Sequence, residues 1–123
     1  MSYQIRFEDL VANDLEDVRN FLERFPDAAP FRTLGKIMDE IVKLSDWPNS
    51  HPRLDENPLF RKLSVDKYNV LYLVDEERKA VQIQFIYHQS RHIKKVLSRE
   101  TPTLARSFEY DLEIEEEEEI EFD

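Results

Sequence analysis

The order of hydrophobic and polar positions divides most of the chain into strands and helices. Residues 3–7 alternate between apolar and polar side chains, which is typical of a strand with one buried face. The spacing then changes to steps of three and four, which predicts a helix whose apolar face is Val11, Leu15, Val18, Leu22 and Phe25. We expect Asp9, or Asn13 together with Glu16, to cap its start, and Pro26 to end it.

The next segment predicts a second helix that packs beside the first as an α-helical hairpin. Pro30 suits the first helical turn, because the N–H that proline lacks would have no partner there. The apolar face that follows is Phe31, Leu34, Ile37, Met38, Ile41 and Leu44. Gly35, the chain's only glycine, falls inside this helix, where glycine costs about 1 kcal/mol relative to alanine. We expect a close approach of the first helix to explain it.

Three strand patterns follow a proline-containing loop at residues 45–58. They occupy residues 59–65, 68–75 and 80–88, and the connections between them are so short that neighbouring strands must run antiparallel. The predicted fold class is therefore α+β: an N-terminal strand, a helical hairpin and a three-stranded antiparallel meander. The hairpin packs on one face of a mostly antiparallel four-stranded sheet.

The last strand of the meander bears on function, because a basic cluster follows it directly. Simple alternation predicts that one face of this strand is formed by Val81, Ile83, Phe85 and Tyr87. His88 then belongs to the opposite, polar face with Gln82 and Gln84. The question is whether His88 and the nearby Arg91 form a working site or only a charged turn.

The C-terminal quarter divides into three parts. Residues 89–98 predict a short basic helix, which completes a single folded domain at residues 1–98. We assign residues 99–107 to a linker and residues 108–123 to an acidic tail. Within the tail, the apolar residues that alternate with acids, and so predict a further strand, are Phe108, Tyr110, Leu112 and Ile114.

Charge is unevenly divided along the chain. The net charge is −10, but ten of the 27 acidic residues lie after Phe108, which leaves 17 acids against 17 lysines and arginines in the rest. The body is therefore neutral, and a polyanionic partner such as RNA is not excluded by its charge.

Several classes of site and location are disfavoured by composition. The chain has no cysteine, so it has neither disulfides nor thiolate metal sites, and a single glycine excludes a glycine-rich phosphate loop. A zinc site would need more than the three histidines, and the pair His88 and His92, four residues apart, has no acidic ligand nearby, so we expect no metal and no other cofactor. No signal-like N-terminus and no apolar run of about 20 residues is present, so we expect a cytoplasmic protein without a membrane partner.

Three stretches of the chain resemble the RelE/ParE superfamily of bacterial type II toxins. They are RFEDLVANDLEDVRNFLERFPDAA, KLSDWPNSHP and FRKLSVDKYNVLYLVDEERKAVQIQFIYHQSRH. The likeness extends from residue 3 to about residue 97, and the acidic tail lies outside it. The positions that match the family's usual arginine, aromatic, tyrosine, histidine and arginine are Arg61, Tyr68, Tyr72, His88 and Arg91.

The resemblance implies a toxin that is neutralised by a cognate antitoxin protein. Ribonuclease members of the superfamily cleave mRNA, commonly on the ribosome, through attack of the 2′-hydroxyl on the adjacent phosphate. His88 is then the candidate general acid or base, since imidazole titrates near neutral pH. Arg61 and Arg91 are candidates to hold the phosphate. The candidate substrate-binding residues are Lys62, which adds charge, and Tyr72 and Tyr87, which stack on or orient a base.

The residues also have structural explanations, and the family has a second mode of action. His88 serves equally well to bind a backbone group at the strand end, and Arg91 to pair with a surface acid. Arg61 and Tyr72 share the parity of core residues. ParE-like members poison DNA gyrase and need no catalytic residues, and the neutral body departs from the very basic ribonucleases. The alternatives are therefore a gyrase inhibitor or an inactive toxin-like protein.

The tail has two interpretations of its own. One is a solvated acidic end that repels itself into an extended coil. The other is a strand added to an exposed sheet edge, with its acids near Arg61, Lys62, His88 and Arg91. In the second case we expect residues 108–123 to dampen the activity of their own domain.

Overall fold

The computed structural model describes residues 2–25 and 29–99, which form three helices and a four-stranded sheet. In chain order the elements are β1 (Gln4–Phe7), α1 (Val11–Leu22), α2 (Pro30–Lys43), β2 (Arg61–Val65), β3 (Tyr68–Asp75), β4 (Ala80–His88) and α3 (Ile93–Leu97). The strand order is β1-β4-β3-β2; β1 runs parallel to β4, and the other neighbours are antiparallel. The predicted α+β class, the helical hairpin and the meander are confirmed. The acidic tail lies outside the described residues.

The sheet separates two hydrophobic clusters. One face packs on the α1–α2 hairpin, and its most deeply buried members include Val11, Ile37, Ile41, Leu63, Val70, Tyr72, Val81 and Ile83. The opposite face is covered by α3 and by the loop before β2, and this second cluster contains Leu54, Phe60, Leu71, Leu73, Phe85, Tyr87 and Val96. The sheet is thus buried on both sides.

Helix α1 differs from its predicted bounds at both ends. It ends at Leu22, and Phe25, predicted as part of its apolar face, is 49% exposed. Its first residues receive no cap from Asp9 or Asn13, so the predicted cap is wrong. Instead, the backbone amide of Leu10 donates to Oε1 of Glu8 at 3.0 Å, and Glu8 is itself buried. A side chain from the end of β1 therefore supplies the acceptor that the helix start needs.

Gly35 does not mark a close contact between the two helices. A methyl group built on it would meet no neighbouring atom within 4 Å, and the residue lies on the exposed side of α2. The expected close approach of α1 is therefore wrong.

We expect the Gly35→Ala variant to be more stable by about 1 kcal/mol, because alanine restricts the unfolded chain and clashes with nothing in the folded one. Urea unfolding of the two proteins, monitored by circular dichroism, measures this difference. A loss of stability would show that Gly35 has a packing role after all.

Strand β4 contains a β-bulge that reverses the predicted facing of its last residues. Leu71 on β3 pairs with Phe85, whereas the next residue, Tyr72, pairs with Ile83, so that Gln84 is an extra residue without a partner on β3. Beyond the bulge, Ile86 belongs to the hairpin cluster, while Phe85 and Tyr87 belong to the α3 cluster. The prediction that Phe85 and Tyr87 share a face with Val81 and Ile83 is therefore wrong.

Candidate functional site

The bulge turns His88 toward the helical hairpin rather than toward the polar face. Its ring lies 5.8 Å from that of Phe21 on α1 and 5.2 Å from that of Tyr68 on β3, measured between ring centroids. The Nδ1 atom accepts the backbone N–H of Ser90 at 3.0 Å and lies 2.8 Å from the Ser90 hydroxyl. Within the described part of the chain, Nε2 has no hydrogen-bond partner. The predicted polar-face position of His88 is wrong, and the residue caps the turn that ends β4.

Arg91 follows in the same turn, where its backbone N–H donates to the carbonyl of His88 at 3.0 Å. Its side chain is exposed and has no acidic partner among residues 2–25 and 29–99. It lines a small cleft together with Lys95 and Arg99, which follow at steps of four residues. Phe85, Ile86 and Tyr87 of β4 also line this cleft. The turn thus joins the backbones of His88 and Arg91, but the His88 ring contacts Phe21 and Tyr68 and does not line the cleft that holds Arg91.

Arg61 and Lys62 lie on β2, the strand at the opposite edge of the sheet. The Arg61 guanidinium donates to the carbonyl of His51 at 2.7 Å. Arg61 pairs across with Tyr72, whereas His88 lies in the row of Tyr68, four residues away along β3. At about 3.3 Å per residue this is roughly 13 Å along the strand, and two strand spacings are added sideways. The structure does not bring Arg61 and His88 together.

The two tyrosines predicted to contact a substrate are both buried. Tyr72 is 0% exposed, its hydroxyl donates to the carbonyl of Pro48 at 2.9 Å, and burial raises its pKa to about 12 against the opposing charge of Arg61. Tyr87 faces the α3 side, where its hydroxyl accepts from the Asn69 side chain at 3.4 Å and burial raises its pKa. Both therefore act in the sheet's packing, and neither borders the open side of His88.

A buried ionic cluster beside β4 was missed by the sequence reasoning. Asp14 of α1 accepts the backbone N–H of Ile86 at 3.0 Å through Oδ2 and the Arg99 guanidinium at 2.6 Å through Oδ1. Arg99 also donates to the carbonyl of Gln84 at 2.7 Å, lies 3.8 Å from Glu8, and stacks over the Phe85 ring. A signal was present, because Asp14 lies between Val11 and Val18 at helical steps and so belongs to the buried face.

Burial dominates the electrostatics of this cluster. It raises the pKa of the Asp14 carboxyl, an effect that the Ile86 N–H and the Arg99 guanidinium oppose only in part. Next to it, Gln84 is 0% exposed, and neither polar atom of its side chain has a partner within the described residues. Such an orphaned amide at a β-bulge is a costly arrangement that a regular strand would avoid.

Two further observations concern metal binding and membrane spanning. Among residues 2–25 and 29–99, no three histidine, aspartate or glutamate side chains cluster in a way that would hold a metal ion. In the same part of the chain, no helix is long and apolar enough to span a bilayer.

Comparison with known proteins identifies the family of this chain. The sequence matches the family model of the ParE toxin of the type II toxin–antitoxin system parDE over residues 5–93. The chain therefore belongs to this family and is a toxin of a type II toxin–antitoxin system, within the RelE/ParE superfamily. A search of curated proteins gave no significant match.

Solved structures show the same fold at low sequence identity. The toxin–antitoxin complex RelBE2 from Mycobacterium tuberculosis is 23% identical with a TM-score of 0.56, covering 72% of this chain and 99% of that one. The chromosomal ParDE system from P. aeruginosa is 18% identical with a TM-score of 0.62, covering 71% and 96%. A mutant of the E. coli toxin RelE in the free state is 15% identical with a TM-score of 0.57, covering 80% and 93%.

Proposed function

We propose that this toxin acts by binding a protein target, DNA gyrase in the manner of ParE-like toxins, rather than by cleaving mRNA. The observation that carries the proposal is the dispersal of the residues that RNA cleavage would require. Arg61 is bound to the carbonyl of His51 at the far edge of the sheet, and Tyr72 has no exposed surface. The family model that matches the chain, that of the ParE toxin, supports the same conclusion.

The hydrogen bonds of His88 also favour a toxin without catalysis. A general base needs a nitrogen lone pair that is open to the substrate. Nδ1 of His88 already accepts the Ser90 amide, so the neutral ring carries its proton on Nε2 and offers no free lone pair. The residue therefore has a sufficient structural role at the end of β4.

The surface beside His88 has the composition of a protein-binding site. Phe21 and Phe25 are 41% and 49% exposed, and their rings pack edge to face at 5.2 Å. The His88 ring contacts Phe21, and the exposed Arg91 follows His88 in the same turn. Exposed aromatic rings next to arginine are enriched where proteins bind one another. We propose this surface as the contact with the target.

A cognate antitoxin is the second partner that we propose. The structures of M. tuberculosis RelBE2 and P. horikoshii RelE–RelB are complexes of a toxin with its antitoxin. By analogy, a neighbouring gene should encode a small protein that binds this chain and suppresses its toxicity when the two are co-expressed.

A metal-independent mRNA endoribonuclease, acting with or without the ribosome, is the second candidate function. It is favoured by the backbone hydrogen bond that holds His88 and Arg91 in one turn. In this reaction the doubly protonated His88 ring, released from the Ser90 amide, donates its Nε2 proton to the leaving 5′-oxygen, Arg91 holds the phosphate, and water takes the proton of the attacking 2′-hydroxyl. In this case His88→Ala and Arg91→Ala should each lower cleavage by about 10²-fold or more. The control is Arg32→Ala, which removes an exposed arginine from α2.

The two candidates are separated by two assays on the same protein. Supercoiling by purified gyrase should fall when the toxin is added, and Phe21→Ala should weaken this inhibition while His88→Ala retains most of it. Primer extension on cellular mRNA after induced expression should show no new cleavage sites. If new cleavage sites appear and are absent with His88→Ala, and if gyrase supercoiling is unchanged by the toxin, the protein is a ribonuclease instead.

A further inference from the structure

Half of strand β4 has an edge that no described strand covers. Strand β1 pairs with β4 only from Ala80 to Ile83, so the edge beyond the bulge is open among residues 2–25 and 29–99. Side chains close its first part, because Asp14 accepts the Ile86 amide and Arg99 donates to the Gln84 carbonyl. Backbone groups alternate in direction along a strand. The Ile86 carbonyl and the His88 amide therefore face the same open side.

This open edge forms the floor of a groove with two unlike walls. On one side α1 crosses the edge, where Asp14 reaches Ile86 and Phe21, two helical turns later, reaches His88. That wall is apolar toward its end, because the exposed rings of Phe21 and Phe25 form it. The other wall is α3 with the turn before it. We call this the β4-edge groove.

The α3 wall is cationic. Arg91 and Lys95 line it with Arg99, and among residues 2–25 and 29–99 only Arg99 of these three has acidic partners, Asp14 and Glu8. Arg91 and Lys95 are exposed and make no ion pair with any residue of the described ranges. A strand laid in the groove would therefore face aromatic rings on one side and, on the other, two cations without an acidic partner in the described part of the chain.

One segment of the chain has the matching pattern. Residues 108–114 read FEYDLEI, so an extended conformation puts four apolar side chains on one face and Glu109, Asp111 and Glu113 on the other. The segment is also within reach. The described part ends at Arg99, whose guanidinium already binds the β4 edge, and residues 100–107 span up to about 25 Å when extended.

We propose that residues 108–114 occupy the β4-edge groove of their own chain as a short additional strand. In a parallel arrangement the Ile86 carbonyl and the His88 amide bond the N–H and the C=O of one and the same residue, and the proposed segment runs parallel to β4 in this way, as β1 does. Its apolar face covers Phe21 and Phe25, and its acids pair with Arg91 and Lys95. Arg61 and Lys62, on the far edge of the sheet, take no part. The docked segment covers the surface proposed above for target binding.

Cysteine cross-linking tests the facing of the segment, since the natural chain has no cysteine. One cysteine replaces Phe25 or Lys95, and the other replaces Tyr110 or Asp111, which gives four double variants of the full chain. We expect the Phe25–Tyr110 and Lys95–Asp111 variants to form intramolecular disulfides at least fivefold faster than the two crossed variants. Equal rates in all four, or disulfides only between chains, would overturn the proposal; the latter would indicate a second copy in the groove.

Hydrogen exchange provides a second measurement that does not depend on toxicity. The His88 amide should exchange at least tenfold more slowly in the full chain than in a chain truncated after Ser107. Replacing Glu109, Asp111 and Glu113 by their amides should remove this protection. The control variant carries Glu117→Gln, Glu118→Gln and Glu119→Gln, which removes the same charge further along the tail, and should retain it.

Three results would contradict the docking. Equal protection of the His88 amide with and without residues 108–123 would show that the tail does not occupy the groove. Equal loss of protection in the two neutralised variants would mean that total charge, and not the register of residues 108–114, holds the tail. Protection of His88 that appears only when an antitoxin is added would assign the groove to the antitoxin.

Discussion

Truncating Ile41 to alanine should lower the free energy of unfolding by about 2–5 kcal/mol, the usual cost of a cavity in a packed core. Ile41 lies on α2, is 0% exposed, and belongs to the cluster between the hairpin and the sheet. A small domain has only about 5–15 kcal/mol of stability, so this change should also reduce the folded protein in cells and with it every toxic effect. Urea unfolding of the purified variant measures the loss.

The neighbouring residue supplies the control. Val42 is 59% exposed, so Val42→Ala should change stability by less than about 0.5 kcal/mol. Leu15 is half-buried, and Leu15→Ala should fall between the two. Equal effects of Ile41→Ala and Val42→Ala would mean that α2 does not pack through the face described above.

Replacing Asp14 by alanine should cost about 3 kcal/mol, the upper part of the range for stranding a buried polar group. The Ile86 amide would lose its acceptor, and Arg99 would lose the nearer of its two acids. Asp14→Asn keeps an oxygen for Ile86 and should cost less than half as much. Asp17→Ala, in the exposed part of the same helix, serves as the control and should be nearly neutral.

The same carboxyl should make stability depend on pH with a definite sign. Burial raises the pKa of Asp14 above its ordinary value of 3.8, so the folded protein binds this proton more tightly than the unfolded chain. The resulting stabilisation is present below pH 3.8 and is lost as the pH rises through the raised pKa. Relative to Asp14→Asn, the natural protein should therefore lose stability across that interval; a relative gain would show that Arg99 outweighs burial.

The sequence predicted the elements of this fold well, because their hydrophobic periods are regular. The start of α2 at Pro30 and the three strands of the meander follow from spacing and short connections alone. The pattern did not predict which way the end of β4 faces. A bulge adds one residue without changing local composition, so alternation counted through Gln84 gives the wrong side for His88.

The candidate site was predictable only in part, for a related reason. His88 and Arg91 are three residues apart, so one turn joins their backbones whatever the rest of the sheet does. The surroundings of their side chains differ, because the His88 ring contacts Phe21 whereas Arg91 lines a cleft with Lys95 and Arg99. Whether Arg61 joins them depends on the pairing register of β2 and β3, which no local pattern encodes. The helical spacing puts Asp14 on the buried face, but its partners, Ile86 and Arg99, are 72 and 85 residues away along the chain, so no local pattern identifies them.

The bulge at Gln84 also bears on how the length of this strand can vary. Leaving Gln84 out of the count restores perfect alternation, with Ile83, Ile86 and His88 all on the hairpin side. A deletion of Gln84, or of Phe85 with Gln84 taking its place opposite Leu71, would therefore keep every later side chain on its present face. A deletion beyond the bulge that leaves the bulge in place, such as that of Tyr87, would exchange the faces of the residues that follow. Strand β4 can thus lose one residue at the bulge without changing which side of the sheet its last residues face.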